Sequence, residues 1–129
     1  MEQLVERFMR PKVDRRYREK PAADRLSEAR RVLRRYTDRV PIVVEPDMDF
    51  RMAKVKFLVP HDLTVSQFVY VVRKHMCPLH HTQSVYVFTE RNQLPILSQT
   101  IGVLYDREHN HDDLFLYLRV TAENTFGNV

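Results

Sequence analysis

Glycine is almost missing from this chain: its 129 residues contain two, Gly102 and Gly127. A loop that wraps phosphate in backbone N–H groups needs several glycines at fixed spacing. Neither GxxxxGK[ST] nor GxGxxG can therefore be written, and a GxSxG nucleophile elbow is equally excluded. Cysteine is scarcer still. Cys77 stands alone, which rules out an internal disulfide and any zinc site built from several thiolates. Tryptophan is absent. Apolar runs stay short, as at residues 68–72, against the ~20 residues that a membrane-spanning helix needs. The opening MEQLVERFMR scatters charge where a secretory signal would need an apolar core. Cytoplasmic residence is the expectation these absences leave. What is present, 43% hydrophobic and 29% charged residues, suits one folded domain rather than a disordered chain.

The formal net charge of +4 is unevenly spread. Residues 1–40 hold 13 Lys/Arg against 7 Asp/Glu, whereas residues 41–129 hold 8 against 10. The basic part is helical in pattern. Leu26, Ala29, Val32, Leu33 and Tyr36 make one apolar stripe on a helix over about residues 22–37, with Pro21 in its first turn. Arg30, Arg31, Arg34 and Arg35 take the other faces. They are either a solvated helix surface or a contact for acidic lipid headgroups, nucleic acid or an acidic protein. Nucleic acid fits poorly, because no RNP-like aromatic pattern, zinc knuckle or GxxG clamp accompanies them. A shorter helix is expected over residues 2–9, with Leu4, Val5, Phe8 and Met9 on one side.

Downstream, residues 40–45 read as a buried strand with Pro41 at its start. Pro46, Asp47 and Asp49 supply turn chemistry. A second strand, antiparallel to the first, follows over residues 54–60. There Val55, Phe57 and Val59 alternate with Lys54, Lys56 and Leu58, which leaves Leu58 beside two lysines. Thr64 and Gln67 form a capping box, and Val65, Phe68, Val69, Val72 and Met76 continue at helical spacing toward a stop at Pro78. A strand over 85–88, a short helical turn around 98–105 and a last strand over 114–120 complete the order. Two strands, a helix packed across them and two more strands match the β-grasp arrangement of ubiquitin-like domains. The fold class is α+β, a four-stranded sheet with a packed central helix, preceded by N-terminal helices.

Chemistry is harder to find. His61, His75, His80, His81, His109 and His111 lack the C-x₂-C or H-x₃-H spacing of a metal site, and no metal or cofactor is expected. Cys77 follows a helix C-terminus, where the dipole disfavours a thiolate. Asp112 and Asp113 are neighbours in a polar loop. No enzyme is expected.

An ordered series of motifs then carries a resemblance. It comprises Tyr36-Thr37-Asp38-Arg39-Val40-Pro41-Ile42-Val43-Val44-Glu45, Lys56-Phe57-Leu58-Val59-Pro60, and Leu63-Thr64-Val65 through Phe68-Val69-Tyr70-Val71-Val72-Arg73-Lys74. Tyr105, Phe115-Leu116-Tyr117 and Glu123-Asn124-Thr125-Phe126-Gly127 extend it to the C-terminus. From about Asp24 onward the chain resembles the ubiquitin-like autophagy modifiers, the family of GABARAP and the light chain three of microtubule-associated proteins. The departures are few: Ala22 follows Pro21 where a phenylalanine is common, residues 12–20 match weakly, His75 replaces a basic residue and Ile96 a proline.

The resemblance implies a modifier acted on by others. A cysteine protease removes Asn128 and Val129, activating and conjugating enzymes carry the Gly127 carboxylate, and phosphatidylethanolamine on autophagosomal membranes receives it, with Phe126 as the recognition grip. It also implies docking of receptors with aromatic-x-x-aliphatic motifs on the second predicted strand. The aromatic pocket would use Glu28, Val32, Pro41, Val43, Lys56, Leu58 and Phe115. The aliphatic pocket would use Phe57, Val59, Pro60, Leu63, Phe68 and Val71. Residues 1–21 form an N-terminal extension, 22–121 the ubiquitin-like domain with its basic helix, and 122–129 a flexible tail. The basic helix offers a contact for microtubules or anionic membrane. Alternatives are an unconjugated β-grasp interaction domain and a basic polyanion-binding protein.

Overall fold

The structure, a computed structural model, describes residues 12–124. The expected helix over 2–9, together with Phe126 and Gly127, lies outside them. A 3-10 turn at Arg16–Glu19 leads into α1 (Ala22–Arg35), which the carbonyl of Pro21 opens by accepting from the N–H groups of Asp24 and Arg25. Strand β1 (Arg39–Pro46) pairs antiparallel with β3 (Lys56–Pro60) and parallel with β6 (Leu116–Asn124), and β5 (Gln83–Phe88) adds antiparallel to β6. The sheet order is β3-β1-β6-β5. Helix α2 (Val65–Arg73) crosses one face, and α3 (Ile101–Glu108) packs on the same core. This is the expected β-grasp.

Burial follows the alternation in each strand. Phe57 and Val59 of β3 enter the core, while Lys56 is exposed and Leu58 half-buried. On β6, Leu116, Leu118, Val120 and Ala122 join Phe68 and Val72 of α2 and Leu104 of α3 in the main cluster. Phe115 and Tyr117 face the other way and meet Ala29 of α1, Val43 and Tyr17 in a second, smaller cluster. A strand in the middle of a sheet covered on both sides is buried on both faces, which is why residues 114–118 read as a continuous apolar run.

The capping box forms as expected. Thr64 Oγ1 accepts from Gln67 N–H at 3.1 Å, and Gln67 Oε1 accepts from Thr64 N–H at 3.0 Å. The helix, however, ends at Arg73 rather than near Pro78. Its last N–H groups, from Lys74 and His75, turn back to Val71 and Val72 in i−3 bonds that tighten and close it. Met76 stays buried but as part of β4 (Met76–Cys77), paired with β2 (Arg51–Met52) in a small ribbon that the sequence reading did not anticipate. Helix α3 begins three residues later than expected, because Thr100 caps it by accepting from Val103 N–H at 3.3 Å. Strand β6 runs through Asn124, so residues 122–124, assigned above to the tail, belong to the sheet; β5 starts early enough, at Gln83, to pair with them.

Candidate functional site: the edge of strand β3

Strand β3 is an outer strand of the sheet, hydrogen-bonded to β1 on one side. Val44 N–H donates to Val55 C=O at 2.8 Å and His61 N–H to Asp38 C=O at 3.0 Å, which fixes the bonded positions of the ladder. In an antiparallel pair these alternate with positions whose backbone groups point away. The register pairs Ile42 with Phe57 and Val40 with Val59 at bonded positions, and Val43 with Lys56 and Pro41 with Leu58 between them. The N–H and C=O groups of Lys56 and Leu58 therefore face outward along the edge. Pro41, which has no N–H, sits where the ladder asks for none.

On the α1 side of this edge, the structure brings four of the residues assigned to the aromatic pocket into two contacts, Lys56 with Glu28 and Val43 with Phe115. Lys56 Nζ lies 2.6 Å from Glu28 Oε1, joining β3 to α1 across the sheet edge. Val43 and Phe115 form the buried floor, Pro41 is buried, and Val32 and Leu58 are half-buried. Burial alone would raise the Glu28 carboxyl, but the hydrogen bonds from Lys56 and Tyr17 and the charges of Lys56 and Lys20 outweigh it and hold it below the ordinary glutamate range. A cleft of about 310 Å³ lies next to the floor, toward the other end of β1, lined among others by Tyr17, Lys20, Val43, Glu45, Met52 and Val55; of the seven residues assigned to the aromatic pocket it takes in Val43 alone.

On the opposite face, the residues assigned to the aliphatic pocket divide in two. Phe57, Val59 and Phe68 are core: Phe68 is fully buried and meets the Phe57 ring edge-on at 5.5 Å. Pro60, Leu63 and Val71 are half-buried and reach the surface between β3 and α2. Lys54 Nζ stands 4.8 Å from the Phe57 ring centre and His75 meets that ring edge-on at 5.4 Å, so both cap this side of the edge.

The family follows from comparison with known proteins. The model described as "Autophagy protein Atg8 ubiquitin like" matches residues 24–127. This chain belongs to the Atg8 family. Autophagy-related protein 8a of Arabidopsis thaliana is 42% identical over 116 residues, covering 84% of this chain and 89% of that protein. Autophagy-related protein 8 of Coccidioides immitis (strain RS) is 41% identical over 113 residues, covering 85% and 94%. Among solved structures, Trypanosoma brucei ATG8 aligns with a TM-score of 0.76 at 35% identity, covering 88% of this chain and 99% of that one. Plasmodium falciparum Atg8, solved in complex with a P. falciparum Atg3 peptide, shares the fold with a TM-score of 0.69 at 23% identity, covering 80% and 91%. The protein is thus a ubiquitin-like modifier of autophagy, in a family whose known role is conjugation to lipid.

Other features of this Atg8-family chain find plain structural roles. Arg73 donates to the carbonyls of Gln83 and His81 and so braces the loop that carries His80 and His81. His109 stacks on Tyr105 at 4.8 Å, and its Nδ1, protonated in this tautomer, donates to the Tyr105 carbonyl at 2.7 Å. Among the described residues no group of three or more His, Cys, Asp or Glu is placed to hold a metal ion. Arg30, Arg31, Arg34 and Arg35 are all exposed on α1.

The sequence reading missed what ties α1 and the 3-10 turn to the sheet. Arg18 makes a two-pronged contact with the buried Glu45, at 2.7 Å from each nitrogen, and lies over the Tyr117 ring. Arg25 reaches the fully buried Asp113 at 2.5 Å, and Asp113 also accepts from Tyr117 Oη–H and from Phe115 N–H. Tyr17 donates to Glu28, and burial together with that carboxylate pushes its phenol well above the ordinary tyrosine range. A lone tyrosine among Arg15, Arg16, Arg18, Glu19 and Lys20 was the available signal: an aromatic ring amid five charged neighbours needs a place to be buried.

Proposed function

We propose that Gly127 is the point of attachment and the β3 edge the point of recognition. In this reading a cysteine protease hydrolyses the bond after Gly127 and releases Asn128-Val129. An activating enzyme adenylates the freed carboxylate with loss of pyrophosphate. The acyl group passes to a cysteine thiol as AMP leaves, then to the conjugating enzyme, and finally to the amine of phosphatidylethanolamine, which expels the thiol and leaves an amide. Glycine suits the role because, without a Cβ, it leaves its carbonyl open in a narrow active site, and Phe126 gives the enzymes a side chain to grip. The observation that carries this reading is that the family match extends through residue 127. The Atg3 peptide bound to the Plasmodium relative supports contact with a conjugating enzyme.

A two-chain lipid holds a small domain on a bilayer stably where a single acyl chain is marginal. The protein then moves from the cytoplasm to the autophagosome membrane and displays the β3 edge to receptors. The outward backbone of Lys56 and Leu58 supplies hydrogen bonds to an extended peptide, the pockets on either side take its aromatic and aliphatic residues, and Lys56 attracts acidic residues before the motif. The exposed arginines of α1 supply a contact for anionic membrane or microtubules.

Intact mass of the protein from its own cells tests attachment: the wild type is expected to lose Asn128 and Val129 and gain a phospholipid, and Gly127→Ala to gain none. A lipid-bearing Gly127→Ala protein, or a wild type that keeps both residues, overturns the assignment and leaves an unconjugated interaction domain. For recognition, Lys56→Ala with Leu58→Ala is expected to weaken an aromatic-x-x-aliphatic peptide about tenfold or more. Unchanged titrations with an intact fold would remove the edge from the proposal.

A further inference from the structure

Tyr17 belongs to the 3-10 turn, yet its side chain leaves that turn to lie on the aromatic pocket, 9% exposed. Its ring meets Phe115 edge-on with centres 5.2 Å apart, and Lys56 Nζ lies 5.2 Å from the ring centre. Its hydroxyl donates to Glu28 Oε2, and Val43 shares its buried cluster. An aromatic side chain arriving on a peptide asks for these same things: an apolar floor, an edge-on ring partner, a cation near its face and an acceptor for an indole N–H or phenol O–H.

We propose that Tyr17 is a built-in occupant of the aromatic pocket, which a docking peptide must displace. This rests on the assignment of the β3 edge as a docking site and adds an internal competitor to it. The local construction allows the side chain to leave without unfolding the segment. The neighbouring Arg18 holds the backbone through its paired contact with Glu45 at 2.7 Å, while Tyr17 itself is held by one hydrogen bond and its ring contacts. A competitor inside the molecule lowers the apparent affinity of every aromatic-bearing peptide by one common factor, the fraction of molecules in which the pocket stands open. It leaves a peptide without the aromatic untouched.

The full chain is titrated by calorimetry with an acidic peptide carrying a tryptophan-x-x-leucine core, and with the same peptide carrying alanine for tryptophan. Because the protein contains no tryptophan, the emission of the peptide indole separately reports whether that ring becomes buried. Tyr17→Ala is expected to bind the tryptophan peptide about tenfold more tightly than wild type, and Tyr17→Phe, which loses only the hydroxyl bond, about threefold more tightly. The alanine peptide should gain from neither. If the indole is buried but both variants bind as wild type or more weakly, Tyr17 is a packing residue and the proposal is wrong while the docking site stands. If neither wild type nor variant binds the tryptophan peptide, the docking assignment fails and takes this proposal with it.

Discussion

On one side of the sheet, α2 and α3 press Phe68, Val72, Ile101 and Leu104 against Ile42, Val44, Leu116 and Leu118 in a continuous apolar layer. On the other, α1 and the 3-10 turn meet the sheet through five buried residues, Tyr17, Ala29, Val43, Phe115 and Tyr117, ringed by the pairs Arg18–Glu45, Arg25–Asp113 and Lys56–Glu28. Apolar burial responds little to moderate salt and to pH, whereas exposed charge pairs respond to both. The ubiquitin-like body and its N-terminal cover are therefore held by interactions that can be weakened separately, and the cover is the part that bears on the proposed pocket.

Three changes should break or sharpen that contrast. Phe68→Ala empties the centre of the apolar layer and should cost about 4 kcal/mol in denaturant unfolding, lowering the midpoint of both sides together. Asp113→Asn removes the charge that Arg25 answers and weakens the bonds to Tyr117 and Phe115 N–H. Since Arg25 retains some access to water, a loss of about 3 kcal/mol is expected, with amide exchange rising in α1 well before α2. The smallest effect comes from acid. The Glu28 carboxyl is held below its ordinary range, so its contribution is complete above that range and fades as pH falls through the lowered folded value. With Lys56 about half exposed, this contribution is under about 1 kcal/mol. Amide exchange across a pH series should show the 3-10 turn and α1 loosening on the acid side in wild type, and Glu28→Gln should abolish that pH dependence while leaving α2 unchanged.

The apolar side was the legible side. Period-two alternation in β3, the capping box at Thr64 and the spacing from Val65 to Val72 each report burial against a neighbour, and burial is what hydropathy patterns encode. Where the chain closed a helix early at Arg73, or put Met76 into a two-residue ribbon, the apolar position was read correctly and its backbone was not, because tertiary pairing overrode local spacing. The charged side was largely illegible. Arg18 and Glu45 are 27 positions apart and Arg25 and Asp113 are 88 apart, and nothing local says which of many arginines meets which carboxylate. The β3 edge lay between: Leu58 beside two lysines was visible as an oddity, and the family resemblance offered the docking role proposed for it, but Tyr17 fell in the stretch that matched least.

One feature of the sheet has a mechanical side. Strand β6 is flanked by β1 and β5 and is the last strand among the described residues, ending at Asn124. A pull applied beyond Asn124 runs along β6 and loads the ladders on both flanks in shear, where many hydrogen bonds must yield at once rather than one after another like a zip. A domain held by that end, as the proposed attachment at Gly127 would hold it, can be tugged by whatever grips its far surface and keep its shape.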